Sequence, residues 1–372
     1  MPQGVVQAER IFDGTRWHSD AALVVEDGRV AAIRPAGPGP RLTGALVPGL
    51  IDLQVNGGGG VLFNNDPTPA GIATICAAHA RLGTTATMVT LITDRPQVTA
   101  QAVAAAETAD APGLLGLHLE GPHLALSRKG THDPALIRPM EAADLQLLTA
   151  AAARLPHLIC TVAPESVTPA QIAALAAAGT VVSLGHTDCD AATARDAVQA
   201  GARMVTHLFN AMSQLQHRAP GLVGTALDDP RLWSGLIADG FHVEDAALRV
   251  ALRAGGERIF LVSDAMSTIG TDLPGFTLNG RQIFRAGGRL TLADGTLAGA
   301  DIALIDAVRH VHRALGWPLE QALRLASAHP AAALGLTDRG HLRPGARADF
   351  LCLTDDITAG GVWIGGTPVE TT

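Results

Sequence analysis

Between residues 46 and 335 the chain repeats one unit: a short apolar run, a polar loop and an alanine-rich helical stretch. Eight such runs can be read: ALVPGLIDLQV, TTATMVTLIT, GLLGLHLE, HLICTVAP, TVVSLGH, MVTHLFN, LWSGLIAD and RIFLVSD. Helical patterns such as AGIATICAAHARLG, PAQIAALAAAG, DAATARDAVQAG and EDAALRVALRAGG lie between many of them. Strands that alternate with helices are joined in parallel by crossovers, and eight such units closing on themselves predict an α/β fold, the (β/α)8 TIM barrel. An open doubly wound sheet is the alternative. It usually has fewer strands and a dinucleotide fingerprint after the first, and the NGGGG found there lacks the G-x-G-x-x-G register.

The two ends of the chain follow another rhythm. Residues 1–45, with GVVQAERIFDG and AALVVEDGRVAAIRP, and residues 336–372, with ADFLCLTDDITAGGVWIGG, alternate apolar and polar positions around turn residues. That pattern predicts short antiparallel strands, and the two ends are expected to pair into one small, discontinuous β-sandwich domain. A glycine-rich alternating stretch, GFTLNGRQIFRAGGRLTLADGTLAG, predicts β-hairpins inserted around 272–298. Two helical patterns, ADIALIDAVRHVHRALG and PLEQALRLASAHPAAALG, complete the outer ring.

Composition removes several function classes. A formal charge of −8 and a sequence pI near 5.9 argue against a nucleic-acid or membrane-surface binder, because both need a basic excess. No apolar run approaches the ~20 residues of a membrane span. Cys76, Cys160, Cys189 and Cys352 show no C-x-x-C spacing, and the start of the chain has no basic and apolar signal regions; free thiols in a cytoplasmic protein are expected. The chain has no tyrosine, and Lys129 is its only lysine. Schiff-base chemistry, or a bridging carbamylated lysine, would therefore have to come from that one residue.

Four of the apolar runs end in a group suited to metal or proton chemistry: Glu120, His186, His207 and Asp264. In a barrel the C-terminal ends of the strands share one face. One carboxylate and two imidazoles leave a divalent ion, zinc or another such as iron(II), a further position for water, whose pKa falls towards about 7. Asp264 is suited to take the proton and return it to a leaving group. Singly, a histidine at a strand end is usually a hydrogen-bonded or surface imidazole, and an aspartate there caps the next segment. The joint pattern is what points to a metal centre. His79, His157, His310, His312 and His341 lack that context and are read as structural. Many metal-dependent barrel hydrolases end the first strand in His-x-His, where this chain has Gln54-Val55-Asn56. Amide oxygens are weak zinc ligands, so one tightly held metal is expected, with Gln54 able at most to assist a weak second ion.

The stretches PGLIDLQVNGGGG, HLEGPHL, KGTHD, SLGHTD, THLFNAM, HRAPGLVG, ADGFHV, LVSDAM and LAGADIAL occur in that order. With them the chain resembles the amidohydrolase superfamily and, within it, the N-acetylglucosamine-6-phosphate deacetylases. The likeness covers nearly the whole chain. It implies that Glu120, His186 and His207 hold the metal, that Asp264 is the acid/base, and that His132 helps polarise the acetamide carbonyl. It further implies that His242, Asn210 and the backbone at Ala211 hold a small amino-sugar phosphate. Arg218 resembles an arginine that reaches the phosphate in the neighbouring subunit, which implies a homodimer; read alone, Arg218 is a solvated loop residue. Other N-deacylases or cyclic amidases of the superfamily are the nearest alternatives, though they typically keep the missing His-x-His. A catalytically silent sugar-phosphate binder is a third, disfavoured because a binding module has no use for a base beside an open metal position.

Overall fold

The computed structural model describes residues 4–370. Eight barrel strands are present: Leu50–Val55, Thr84–Ile92, Leu114–Glu120, Leu158–Val162, Val181–Leu184, Met204–Val205, Trp233–Leu236 and Ile259–Leu261. They pair in parallel in that spatial order, and most of their residues are buried, as both faces are covered. The architecture is the expected (β/α)8 barrel. Helix starts follow local chemistry. Thr68 and Asp190 accept backbone N–H groups at the heads of Pro69–Arg81 and Ala191–Ala200, and Thr168 forms a capping box with Gln171 ahead of Pro169–Ala177.

Some expected elements differ in extent. The run ALVPGLIDLQV is two strands, Leu42–Pro48 and Leu50–Val55, and only the second lies in the barrel. Gly49 between them gives its N–H to the carbonyl of Asp349, in the terminal sheet. In MVTHLFN only Met204–Val205 is strand, because His207 takes a left-handed backbone with φ 31° that cannot continue a ladder. The pattern PLEQALRLASAHPAAALG breaks into Leu319–Leu325 and Ala328–Leu334 at Ser327, whose backbone is non-helical. Helices Pro96–Thr108, Ala142–Ala152 and Gly221–Asp228 fill further crossovers.

A separate seven-stranded sheet joins the two ends of the chain. Its order is Thr367–Pro368, Ala359–Ile364, Phe350–Leu353, Leu42–Pro48, Gly4–Phe12, Trp17–Glu26 and Arg29–Pro35. The period of two decides what each residue buries against. Leu46, Phe350 and Cys352 pack with Ile11 and Leu23 in the sheet's own core, while Val47, Leu351 and Leu353 turn to the barrel core. A four-stranded antiparallel sheet, Gly275–Leu278, Arg281–Ala286, Arg289–Thr291 and Leu297–Ala300, occupies the inserted region. Its Leu278, Ile283 and Leu290 pack on Ile92 and Met266 at the barrel lip, and Arg281 donates to the carbonyl of Thr131 at 2.5 Å. Sequence 129–132, which carries His132, is thus held from above.

Candidate active site

Glu120 ends the third barrel strand, and His186, His207 and Asp264 each follow the end of theirs. The last three have left-handed backbones, with φ of 48°, 31° and 51°. Non-glycine residues there are strained by about 1–3 kcal/mol each, and such strain is concentrated where a side chain must be aimed. The turn after each strand aims it inward. Nε2 of His186 and Nε2 of His207 lie 3.0 and 2.9 Å from the same oxygen, Oε1 of Glu120, and 3.1 Å from each other. A second, looser triad shares two members: donor atoms of Glu120, His132 and His186 lie within 4.8 Å of one another.

The hydrogen bonds around this cluster test whether a cation belongs in it. Nδ1 of His186 is 2.8 Å from the carbonyl of Arg128, which can only accept, so Nδ1 carries the proton. A neutral His186 then presents a lone pair to a carboxylate oxygen and to a second imidazole nitrogen at about 3 Å. That arrangement is repulsive unless a cation, or a proton on His207 Nε2, sits among the three atoms. Two imidazole nitrogens and one carboxylate oxygen are a suitable donor set for a divalent ion. Burial pushes the Glu120 carboxyl up, but the adjacent His186 and His207 rings outweigh that and hold it well below the usual range. His207 is shifted upward: burial opposes its charge, and the Glu120 carboxylate overcomes burial.

Asp264 is held differently. Its Oδ1 accepts from Asn56 Nδ2 at 2.7 Å and Gln54 Nε2 at 3.1 Å, and the same Gln54 amide donates to Glu120 Oε2 at 3.1 Å. Burial, followed by the charge of Glu120, raises its pKa to about 6, the range suited to a group that gives and takes protons near neutrality. His132 is buried with Nδ1 2.7 Å from Thr93 Oγ1. Burial, then the neighbouring His186, keeps it well below the usual imidazole range and hence neutral. Thr93 also faces the carbonyl of Glu120, at a weaker 3.4 Å. In the tautomer with the hydroxyl proton directed at His132 Nδ1, the ring carries its own proton on Nε2, where it can donate to a substrate; with that proton directed at the Glu120 carbonyl, His132 Nδ1 donates to Thr93 instead.

These groups wall one cavity of about 220 Å³ together with Asn210, Ala211 and His242. Residues 45–369 match the amidohydrolase family. The chain belongs to that family. It is 39% identical over 358 residues to an N-acetylgalactosamine-6-phosphate deacetylase of Shewanella sp. (strain ANA-3), covering 93% of this chain and 90% of the relative. It is 39% identical over 337 residues to the N-acetylglucosamine-6-phosphate deacetylase of Homo sapiens, covering 86% and 82%. The crystal structure of N-acetylglucosamine-6-phosphate deacetylase from Pasteurella multocida superposes with a TM-score of 0.94 at 30% identity, covering 99% of this chain and 100% of that one.

In this amidohydrolase the remaining candidates divide in two. His242 stands in the cavity wall with Nδ1 2.6 Å from Asp239, and Asn210 Nδ2 faces the carbonyls of His207 and Leu208 at 3.3 and 3.4 Å. Arg218 is exposed and outside this cavity, none of whose lining residues is arginine or lysine. Gln54 turns its NH₂ group, a donor, towards the two carboxylates. Several supporting groups have partners that the sequence does not reveal: Thr93 behind His132, Asp239 behind His242, and Glu165. The last accepts from Thr187 Oγ1 at 2.6 Å and Asp188 N at 2.7 Å, and so props the loop after His186. No described helix is long and apolar enough to cross a membrane.

Proposed function

We propose that this amidohydrolase cleaves the acetamide of N-acetylglucosamine 6-phosphate to acetate and glucosamine 6-phosphate. One observation carries the reading: the buried carboxyl of Asp264 shares a small cavity with a two-imidazole, one-carboxylate donor set. Glu120, His186 and His207 hold one divalent ion per subunit, zinc by the match of donor types; when bound it polarises the acetamide carbonyl and acidifies a water. Asp264 takes the proton as the water oxygen bonds to the acyl carbon, and gives it to the sugar nitrogen as the C–N bond breaks. His132 donates from Nε2 to the acyl oxygen as charge grows there. Gln54 and Asn56 keep Asp264 and Glu120 in register, and in its present orientation Gln54 is a donor to carboxylates more than a ligand for a second ion. His242, Asn210 and the N–H of Ala211 hold the sugar phosphate. The cavity wall has no cation for a phosphate, and the exposed Arg218 supplies it to the partner subunit of a homodimer. Four buried free thiols suit the reducing cytoplasm.

The Shewanella relative supports a second substrate, the C4-epimeric N-acetylgalactosamine 6-phosphate. Acetate release from both phosphosugars and from unphosphorylated N-acetylglucosamine, before and after chelation, tests the assignment. The expected result is turnover of a phosphosugar that chelation abolishes and a divalent metal restores. A metallated enzyme that cuts neither phosphosugar would refute it.

A further inference from the structure

Where the last barrel strand returns to the first, the backbone ladder is incomplete. Ile51 N–H goes to the carbonyl of Ala326, not to the last strand, and pairing between the two strand segments resumes only at Val55 and Ala265. In the gap lies Asp52, with no measurable exposure. Both of its oxygens accept the N–H of Ser263, at 3.2 Å each, and Oδ1 also accepts the N–H of Gln54 at 3.2 Å. No cation pairs with it; burial first, and less strongly the charge of Asp264, push its carboxyl up to about 7. An unpaired buried carboxyl is an expensive way to fill space, and an apolar side chain would be cheaper unless those N–H groups depend on it.

We propose that Asp52 is a positioning residue for Asp264, its carboxylate standing in for the missing rung and fixing the backbone from which Asp264 projects. Ser263 is the residue directly before Asp264. Above that anchor, Asp264 N donates to the carbonyl of Gln54 at 3.0 Å, Asn56 N donates to the carbonyl of Ala265 at 2.9 Å, and the Gln54 and Asn56 amides hold the Asp264 carboxyl. The first strand thus grips residues 263–265 from residue 52 to residue 56. Removing the lowest hold frees two buried N–H groups to seek other acceptors, and the left-handed Asp264 backbone moves with them. Displacement of an acid/base by about 1 Å lowers turnover roughly 100-fold while leaving substrate affinity nearly intact. The inference rests on Asp264 being the acid/base of the proposed deacetylation.

Three variants read this out: Asp52→Asn keeps an acceptor oxygen in place, Asp52→Val removes it at similar bulk, and Asp52→Ala is the milder removal should the valine variant not fold. Each is loaded with metal and assayed for acetate release from the phosphosugar that the wild-type enzyme turns over, alongside metal content and Tm. The expected pattern is kcat within about threefold of wild type for Asp52→Asn. For Asp52→Val, or to a smaller extent Asp52→Ala, kcat falls roughly 100-fold with KM within about threefold and metal content unchanged. Equal kcat losses in the asparagine and apolar variants, or a lowered Tm with kcat retained in all of them, would overturn the role. A wild-type enzyme inactive on both phosphosugars would instead remove the functional reading on which it rests.

Discussion

At the C-terminal lip of the barrel a cavity of about 220 Å³ is walled by Glu120, Asp264 and four histidines, while a cavity of about 820 Å³ opens beside the start of the third strand, against the terminal sheet. The larger one is also rich in charge, with Asp27, Asp110, Asp338, Arg29, Arg339 and Arg347 on its wall. Arg339 and Arg347 are matched, and Asp27, Arg29 and Asp110 are exposed to water. Behind it the buried Asp349 takes Arg339 at 2.9 Å, Arg347 at 2.9 Å and the N–H of Gly365 at 2.7 Å. At the lip the two carboxylates have no guanidinium partner. Glu120 and Asp264 share one amide donor, two imidazole nitrogens face each other, and Arg281, whose guanidinium reaches the Thr131 carbonyl, does not line the cavity. Volume therefore does not locate the chemistry. Charges left unresolved by the protein itself do, because they are the ones a cation, a water or a substrate can still satisfy.

The contrast is sharpest at the proposed acid/base. Asp264→Asn keeps the bonds from Gln54 and Asn56 within reach but cannot carry a proton, and kcat should fall by about two to four orders of magnitude with metal content unchanged. Near wild-type turnover would remove Asp264 from the mechanism. His186→Ala strikes the donor set itself. Groups that merely orient a ligand change metal affinity by ~10–100-fold, so loss of the ligand should weaken binding by roughly 100-fold or more, read by chelator competition. Full occupancy after dialysis would show that His186 is not a ligand. Arg218→Ala comes next: loss of a charge-assisted bond to phosphate should raise KM for the phosphosugar by about tenfold and leave KM for the unphosphorylated sugar alone. Equal changes for both substrates would exclude a phosphate role.

The lip was readable in advance because each ligand candidate ends an apolar run, and a barrel collects strand ends on one face; that is why Glu120, His186, His207 and Asp264 could be named from four separate stretches. What escaped the reading depends on tertiary contact. Gln54 looks in sequence like a poor metal ligand, and only its position between Glu120 and Asp264 makes it a shared donor. Thr93 and Asp239 also end apolar runs, but only folding sets them against His132 and His242. Likewise ALVPGLIDLQV is uniformly apolar, and its division at Gly49 is imposed by the terminal sheet, more than 290 positions away in sequence.

The smallest effect on catalysis is expected at the other end, and it bears most directly on the comparison. Asp349→Ala leaves Arg339 and Arg347 without the carboxylate they share. Breaking a buried ion pair costs roughly 3–5 kcal/mol; the partial exposure of Arg347 lets water take over part of the loss, which reduces the expected figure to about 2–3 kcal/mol. For a chain of this size that is a Tm lower by roughly 3–4 °C. Acetate release per folded enzyme should not change, since nothing at the lip touches Asp349. Denaturation and steady-state kinetics on the same preparation separate the two readouts. If kcat fell while Tm held, the matched charges beside the larger cavity would have to act on the distant site. The distinction between charges that build the fold and charges left for chemistry would then fail.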